Sequence, residues 1–522
     1  MINYWWVTRP KRKLNTVPDV LSTFSELSLN EEWQGQRGSH LSLEEALENA
    51  GLKRIGERRD QTGGGGRTYK AWMQSLGLIF TQESTGQLKL TLAGEAIMNG
   101  DSPVKILKSQ ILKYQFPSSY SMSRGVRVSE RFKIRPFRFL LKLLLDERVS
   151  VLRQDEIAKI VITEADSETE KCYENIVKRI IDYRNYGDGI LPKDFAERYQ
   201  SSKGSPDFEE PFKHLLDVSN TIINWLEYTQ LVKRERGEVS ILVDKLDEVK
   251  SIIAKNPPFI DRWEQEEYFQ RKFGVDPSHT KDTRNLTKTR VITANLLLEN
   301  KIKQLFISES LKKPITRISS DLIQRVSESS GIPEKFVEET LLRFYPNGSI
   351  GGFMTEYFEM AFRGRDDATE FEKATVEIFS DLFSYKSIHV GAIGLTPDVL
   401  IISDSEGYQA IIDNKAYHQY SISNDHHNRM VHNYIANLGN YSNSPNKLAF
   451  FSYISGGFGK NIDSQIKRIY DETAVPGSAM TVSNMIHLIE NYSDKNMNHK
   501  TLKEIFSVNR QILKSDIDSP RK

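Results

Sequence analysis

Two short runs in the last third of the chain decide the fold class: Thr396-Pro397-Asp398-Val399-Leu400-Ile401-Ile402 and Gln409-Ala410-Ile411-Ile412-Asp413-Asn414-Lys415-Ala416-Tyr417. Both runs are rich in β-branched residues, which favours strands, and each carries an acidic residue at one end. Side chains alternate across a strand, so Asp413 and Lys415 are predicted to lie on one face. If the runs pair as a hairpin across residues 403–407, Asp398 reaches the same face.

Two carboxylates and one ammonium that converge in this way are what metal-dependent phosphodiester hydrolysis requires. Asp398 and Asp413 would hold Mg²⁺, and Lys415 would orient the attacking water or offset developing charge. The helix predicted before the first run carries Glu372 and Glu377, and either could supply another acid facing the metal. The alternative is two strand ends in a turn, with a surface ion pair worth about 0–1 kcal/mol.

Length and composition limit the class of protein. A chain of 522 residues is too long for one core, which predicts several domains. The single cysteine, Cys172, excludes an intrachain disulfide and a cysteine-based zinc site, and it fits a reducing compartment. No apolar run approaches the roughly 20 residues of a membrane span, and the start of the chain lacks the pattern of a secretory signal. We therefore expect a cytoplasmic protein with no membrane contact.

Charge is distributed unevenly although the net charge is only +1. Residues 105–142, here called the basic stretch, contain ten lysines and arginines and a single acid, Glu130, with aromatic residues interleaved. Such a stretch can neutralise several phosphates, which predicts binding to double-stranded DNA. The alternative is a solvated surface whose acidic complement lies elsewhere in the fold. The predicted DNA contacts are Arg67, Lys70, Lys113, Arg124, Arg127, Arg131, Lys133 and Arg135.

A run of four glycines, Gly63–Gly66, precedes Arg67 and a predicted helix. It lacks the Gly-Lys-Ser/Thr ending of a phosphate-binding loop, so nucleotide hydrolysis is unsupported. The favoured interpretation is a flexible loop. The alternative is that the backbone approaches a DNA phosphate at the helix N-terminus, with Arg67 and Lys70 assisting.

Helical and strand patterns divide the chain into three parts. A helix over 67–76, a hairpin over 79–91 and a helix over 92–98 predict a winged helix-turn-helix, and a similar order recurs at 217–243. A third helix-turn-helix is predicted near 140–161. Residues 251–350 are polar and interrupted by prolines, which predicts a helical connector. In residues 351–522 helices alternate with strands, which predicts an α/β nuclease core.

Five histidines between His389 and His432 suggest a metal site or a His-Asn-His nuclease, but they lack zinc-ligand spacing. We expect them to border the cleft instead. Contact with a DNA phosphate is the alternative for them.

The C-terminal third resembles the cleavage domain of FokI-type type IIS restriction endonucleases. The opening Asn3-Tyr4-Trp5-Trp6-Val7 and the first winged-helix region are similar to AlwI and to site-specific nicking endonucleases. The segments that carry the C-terminal resemblance follow the family's order, at residues 371–379, 385–391, 397–398, 412–417, 451–460 and 465–469.

This resemblance implies a multidomain fold with mainly α winged-helix modules and an α/β PD-(D/E)xK nuclease domain. Residues 1–250 would read a short asymmetric DNA sequence, 251–350 would connect, and 351–522 would cut at a fixed distance outside the sequence. By matching position, Asp398 and Asp413 are metal ligands, Lys415 serves the attacking water, and the backbone carbonyl of Asn414 contacts the metal. Glu372 or Glu377 would help through a water molecule.

One departure from the family concerns its dimer contacts. Members dimerise through the helix after the catalytic strands with an acid–arginine pair, whereas our alignment places Arg429 and Asn433 there, so we expect the pair to be missing. A transient homodimer remains the implied route to double-strand cleavage. The alternatives are a strand-specific nicking endonuclease, a subunit of a heterodimeric restriction enzyme, and a non-enzymatic winged-helix regulator with a degenerate nuclease core.

Overall fold

The computed structural model describes residues 1–522 except 30, 55–62, 123–126, 201–211, 236, 287–293, 347, 363, 365–367, 392–394, 493–494 and 521–522. The chain divides into two compact units. The N-terminal unit comprises residues 1–309 and 318–346, and the C-terminal unit comprises residues 310–317 and 347–522.

The N-terminal unit is mostly helical and contains two small antiparallel sheets. The helices are α1 (Val17–Ser28), α2 (Arg37–Asn49), α3 (Gly64–Ser75), α4 (Leu92–Met98), α5 (Pro103–Lys113), α6 (Pro136–Leu145), α7 (Gln154–Glu156), α8 (Ile162–Glu164), α9 (Glu170–Tyr186), α10 (Phe195–Arg198), α11 (Lys213–Tyr228), α12 (Leu246–Ala254), α13 (Glu266–Phe273), α14 (Ala294–Lys312), α15 (Ser320–Ser330) and α16 (Glu334–Phe344). The strands are β1 (Ile79–Thr81), β2 (Leu88–Leu90), β3 (Leu152–Arg153), β4 (Val232–Glu235) and β5 (Glu238–Ile241).

The predicted order of helix, hairpin and helix is present around α3, β1, β2 and α4, with Ile79 opposite Leu90. It recurs around α11, β4 and β5, although β4 begins at Val232 and not at Thr229 as expected. The third predicted motif differs more, because β3 pairs with β5 and residues 157–161 form a π-helical turn. That these segments are winged helices stays a prediction.

Aromatic residues form much of the core of the N-terminal unit, in which Trp5, Trp72 and Trp225 are fully buried. The aromatic residues interleaved with the basic stretch belong to this core and are all buried: Tyr114, Phe116, Tyr120, Phe132, Phe137 and Phe139. They stabilise the unit by burial of apolar surface. Their spacing among basic residues therefore reflects packing and not an exposed stacking surface.

The glycine run has a packing role that the sequence did not predict. Residues Gly64–Gly66 form the first turn of α3 instead of a flexible loop. A Cβ atom on Gly66 would overlap the carbonyl oxygen of His40 in α2, and one on Gly65 would overlap the Glu44 carboxylate. The glycines thus let α3 approach α2 closely.

The C-terminal unit is built on one mixed sheet of six strands in the order β11-β10-β9-β8-β7-β6. The strands are β6 (Lys386–His389), β7 (Val399–Ser403), β8 (Tyr408–Lys415), β9 (Lys447–Ser455), β10 (Gly477–Thr481) and β11 (Arg510–Gln511). The helices are α17 (Gly351–Met360), α18 (Ala368–Glu377), α19 (Asn424–Asn428), α20 (Ile462–Thr473), α21 (Val482–Tyr492), α22 (His499–Phe506) and α23 (Lys514–Asp518). Residues 378–382 and 429–435 continue α18 and α19 as π-helical turns.

Strands β6, β7 and β8 form an antiparallel meander, and β8 to β11 run parallel. Both faces of the sheet are covered. Val399 and Ile412 pack on the face that carries α17, α18, α21 and α22, whereas Ile411 and Tyr453 pack on the face that carries α19 and α20. Burial on both faces explains why β7 and β8 are continuous apolar runs.

None of the helices in the described part of the chain combines the length and the apolar character that a membrane span requires.

Candidate active site

The predicted catalytic side chains come together where β7 begins and β8 ends. The two strands pair from Val399 opposite Ile412 to Ser403 opposite Tyr408, so Asp398 lies opposite Asp413. The Nζ atom of Lys415 lies 2.6 Å from Asp413 Oδ2 and 3.7 Å from Asp398 Oδ2. The hairpin across residues 403–407 is therefore the turn that brings both acids to the lysine.

Alternation along β8 sends neighbouring residues to opposite faces. Asp413 and Lys415 share the face of Ile411, and Asn414 shares the face of Ile412. The Nδ2 atom of Asn414 donates to Thr375 Oγ1 in α18 at 2.7 Å. One strand thus supplies two charged groups to the site and ties the site to the helix behind it.

Backbone groups of β8 hold the charged side chains in place. The N–H of Asn414 donates to Asp398 Oδ2 at 2.6 Å, and Lys415 Nζ donates to the carbonyl oxygen of Asn414 at 3.1 Å. The side chains of Asp398, Asp413 and Lys415 are 16%, 3% and 15% exposed. The cluster is thus largely shielded from bulk water, and Asp398 and Lys415 keep partial exposure.

Electrostatic repulsion between the acids is built into this arrangement. Burial raises the pKa of Asp398 well above its ordinary value, and the nearby charges of Asp413 and Glu372 add to the rise, whereas Lys415 opposes it. Burial by itself would lower the pKa of Lys415, but the charges of Asp413 and Asp398 outweigh it and hold that pKa above its ordinary value. The lysine therefore stays charged, and when both acids are ionised the cluster carries one negative charge in excess, which a bound cation would offset.

The residues present fit a hard divalent cation. Among the described residues, Asp413 Oδ1 is buried and accepts no hydrogen bond. Carboxylate and carbonyl oxygens are the ligands that Mg²⁺ prefers, and it usually keeps several waters as well. Within the described part of the chain, no group of three or more His, Cys, Asp and Glu side chains is arranged to hold a metal ion. A cation here would therefore use the two aspartates, the Asn414 carbonyl and water.

The structure separates the two candidate accessory acids. Glu372 lies beside the site, since its Oε2 atom is 3.1 Å from the position of a Cβ on Gly391, and that position is 3.4 Å from Asp398 Oδ1. Glu377 has different neighbours: burial raises its pKa, Asp381 adds to the rise and Lys313 opposes it. The geometry therefore places Glu372, and not Glu377, beside the two aspartates.

Sequence reasoning missed Thr375 and Gly391 as parts of the site. Thr375 lies three residues after Glu372, which places both on one face of α18, so helix spacing could have indicated it. Gly391 carries no comparable signal, because its role depends on how close α18 comes to β7.

Four predicted DNA contacts are exposed, namely Arg67, Arg127, Arg131 and Lys133. Arg127 forms an exposed pair with Glu130 at 3.4 Å, and Arg131 donates to Asn3 Oδ1 at 2.7 Å. Lys70 is half-buried, and burial lowers its pKa, with Glu266 opposing the shift. Arg124 lies outside the described residues.

Lys113 and Arg135 are engaged inside the N-terminal unit. Lys113 Nζ donates to the carbonyl oxygens of Phe273 and Val275 at 2.9 and 2.6 Å, and burial lowers its pKa to about 8. The Arg135 side chain is 5% exposed and contacts Glu168 as well as the Pro257 carbonyl oxygen, which lies 2.6 Å from Nη1. Arg127 and Arg131 have partners too but are exposed, whereas Lys113 and Arg135 are withdrawn from solvent against theirs, so these two head groups are not available to a phosphate.

Two regions of the chain match known sequence families. Residues 331–513 match the family described as "FokI, cleavage domain", and residues 90–238 match "Type II restriction endonuclease HgaI, N-terminal domain". The chain resembles type IIS restriction endonucleases. The HgaI match begins at residue 90, so the similarity of residues 3–7 and of the first winged-helix region to AlwI and nicking endonucleases stays a prediction. With the mixed sheet, the FokI match supports a restriction-endonuclease-like fold for the C-terminal unit.

A curated relative is the type II restriction enzyme StsI of Streptococcus sanguinis, which is 26% identical over 147 residues, 26% of this chain and 24% of StsI. The match thus spans about a quarter of that protein. Restriction endonuclease FokI has 15% identity and a TM-score of 0.29, with 98% of this chain and 100% of FokI covered. The BpuJ1 endonuclease binding domain, solved with modified DNA, has 15% identity and a TM-score of 0.36, with 52% and 96% covered. Such scores do not establish a shared arrangement of whole chains.

Proposed function

We propose that this protein is a Mg²⁺-dependent type IIS restriction endonuclease. It binds a short asymmetric sequence in double-stranded DNA and hydrolyses phosphodiester bonds at a fixed distance outside it. The observation that carries the proposal is the cluster of Asp398, Asp413 and Lys415 inside the region that matches the FokI cleavage domain.

The side chains of the cluster have separate roles in the proposed reaction. Asp398 and Asp413 hold the cation together with the Asn414 carbonyl. When bound, Mg²⁺ supplies Lewis-acid polarisation of the phosphate and a more acidic water. Lys415 orients the attacking water and offsets the negative charge that develops on the phosphate, which its raised pKa allows.

The three parts of the chain divide the work. Residues 1–250 bind and read DNA, with winged helices as the proposed modules, 251–350 connect, and 351–522 cut. Arg67, Arg127, Arg131 and Lys133 are the proposed phosphate contacts, because their side chains are exposed. The connector restrains the nuclease until the target is bound, as part of a cytoplasmic restriction–modification system.

A plasmid-cleavage assay with Mg²⁺ tests the proposal. Replacing Asp398 or Asp413 with Ala should abolish cutting and leave binding to the target site intact. Retained cutting by both variants would refute the assignment. A wild-type protein that neither binds nor cuts DNA would refute both the endonuclease and the DNA-binding regulator. A wild-type protein that binds DNA without cutting it would favour the regulator with a degenerate nuclease core.

Double-strand cleavage is proposed to need a transient homodimer through the C-terminal unit. That the acid–arginine pair between subunits is missing stays a prediction. Within one chain, Asp425 and Arg429 of the helix after the catalytic strands form an ion pair with 2.9 Å between Oδ2 and Nε. Both residues are exposed. Counting cut strands on a plasmid with one site tests this step, since a linear product that increases with enzyme concentration supports a dimer. A product that stays nicked would indicate a strand-specific nicking enzyme or a missing subunit.

A further inference from the structure

A second hydrogen-bonded pair borders Asp398. His389 is the last residue of β6, and its Nε2 atom lies 2.7 Å from Oε2 of Glu372 in α18. Strand β6 pairs with β7 so that His389 is opposite Val399, the residue after Asp398. The side chains of His389 and Glu372 are 23% and 17% exposed, so the pair lies at the rim of the site.

Gly391 keeps open a small space between the two carboxylates. A Cβ on Gly391 would lie 3.1 Å from Glu372 Oε2, 3.3 Å from Asp398 Cα and 3.4 Å from Asp398 Oδ1. The backbone at Gly391 does not have a left-handed φ, so a side chain is disfavoured there by space and not by conformation. Glu372 and Asp398 therefore face one shared opening.

Two contacts on α18 fix Glu372 relative to the sheet. Thr375, one turn later, accepts the hydrogen bond from Asn414 Nδ2 at 2.7 Å and positions the helix. The helix alone does not fix the side chain of a glutamate, which has several rotamers and is repelled by the charges of Asp398 and Asp413. The hydrogen bond from His389 opposes that repulsion and holds Oε2, the oxygen that lies nearest the Gly391 opening, beside Asp398.

We propose that His389 is a positioning residue that holds the Glu372 carboxylate beside Asp398, so that Glu372 strengthens binding of the divalent cation. This inference rests on the proposed function, because it concerns the same site. Hydrogen-bond partners of groups around metal ions orient those groups, and their loss typically weakens metal binding by about 10–100-fold.

Isothermal titration calorimetry with Mg²⁺ on the full chain without DNA tests the proposal directly. We expect His389→Ala to weaken Mg²⁺ binding by about tenfold or more. We expect His389→Gln to bind Mg²⁺ nearly as well as the wild type, because its amide N–H can replace the Nε2–H donor. DNA affinity without metal and the thermal unfolding temperature serve as controls that should not change in either variant.

A double-mutant cycle separates positioning from a direct role. Glu372→Gln should weaken Mg²⁺ binding as much as His389→Ala, and the double variant should bind no worse than either single variant. Additive losses would overturn the proposal, because His389 would then act without Glu372. Gly391→Ala should also weaken Mg²⁺ binding, since the new methyl group presses on the Glu372 carboxylate.

The outcomes distinguish this inference from the proposed function. Unchanged Mg²⁺ binding in His389→Ala, together with loss of cutting in Asp413→Ala, would overturn only the role of His389. Retained cutting and Mg²⁺ binding in both Asp398→Ala and Asp413→Ala would overturn the proposed function first. Equal weakening in His389→Ala and His389→Gln would also contradict positioning through a hydrogen bond.

Discussion

The charged cluster of the C-terminal unit and the basic stretch of the N-terminal unit are both conspicuous in sequence, but their charges have different surroundings. At the cluster, two carboxylates share one lysine, and negative charge remains unbalanced. In the basic stretch, Arg135 is held by Glu168 and Lys113 by backbone carbonyls. Strand alternation fixes where a side chain points, whereas a high local density of charge does not. The first pattern therefore predicts a site more reliably than the second.

The largest expected effect concerns the unbalanced charge of the cluster. Asp413→Asn removes a buried anionic oxygen donor, so we expect cleavage of target DNA to fall on the order of 10³-fold or more. Single-turnover cleavage with saturating Mg²⁺ measures it. The matched control is Asp425→Asn, an exposed acid outside the cluster, which should keep the single-strand cutting rate. Comparable losses of cleavage in both variants would contradict a catalytic role for the cluster.

A stability measurement tests whether Arg135 is structural. Arg135→Ala leaves Glu168 and a backbone carbonyl without their partner, so we expect it to lower the free energy of unfolding by about 3 kcal/mol. Denaturant unfolding followed by tryptophan fluorescence reports on the N-terminal unit, where the tryptophans lie. Arg127→Ala is the control, because its side chain is exposed and should leave unfolding unchanged. If Arg135→Ala instead weakens only DNA binding and leaves stability unchanged, Arg135 contacts DNA, and the basic stretch is a functional site like the cluster.

The glycine run offers a smaller effect in the same unit. Gly66→Ala should lower stability by about 1–3 kcal/mol, because the new Cβ overlaps the His40 carbonyl oxygen. Gly38→Ala in α2 meets no atom within 4 Å and should raise stability by about 0.5 kcal/mol. Thermal unfolding of the two variants compares them. A harmless Gly66→Ala would restore the flexible-loop interpretation.

The smallest expected effect is at an exposed phosphate contact. Lys133→Ala should weaken DNA binding about fivefold at 0.15 M salt and reduce the slope of log affinity against log salt by about 1. Fluorescence anisotropy across a salt series measures both quantities. Lys113→Met should leave the slope unchanged, since its Nζ is already bound to carbonyl oxygens. Equal changes in the two slopes would mean that burial does not distinguish the basic residues that contact phosphate from those that do not.

The helical turns after α18 and α19 show the limits of pattern reading. The sequence predicted one helix that carries Glu372 and Glu377, but α18 ends at Glu377 and a π-helical turn follows. Strands β6 and β11 were not predicted, because their short polar sequences have no β signal and form only against neighbouring strands. Local sequence gives the type of an element more readily than its ends.

The sequence by itself determined the hairpin of β7 and β8 and the meeting of Asp398, Asp413 and Lys415. Those features depend on side-chain alternation and on a short turn, which are local properties of the chain. Only the tertiary structure decided which of Glu372 and Glu377 lies beside the aspartates, that His389 contacts Glu372, and which arginines and lysines face solvent. Those outcomes depend on distances between elements remote in sequence, because a helix face or a charge finds its partner only when the chain has packed.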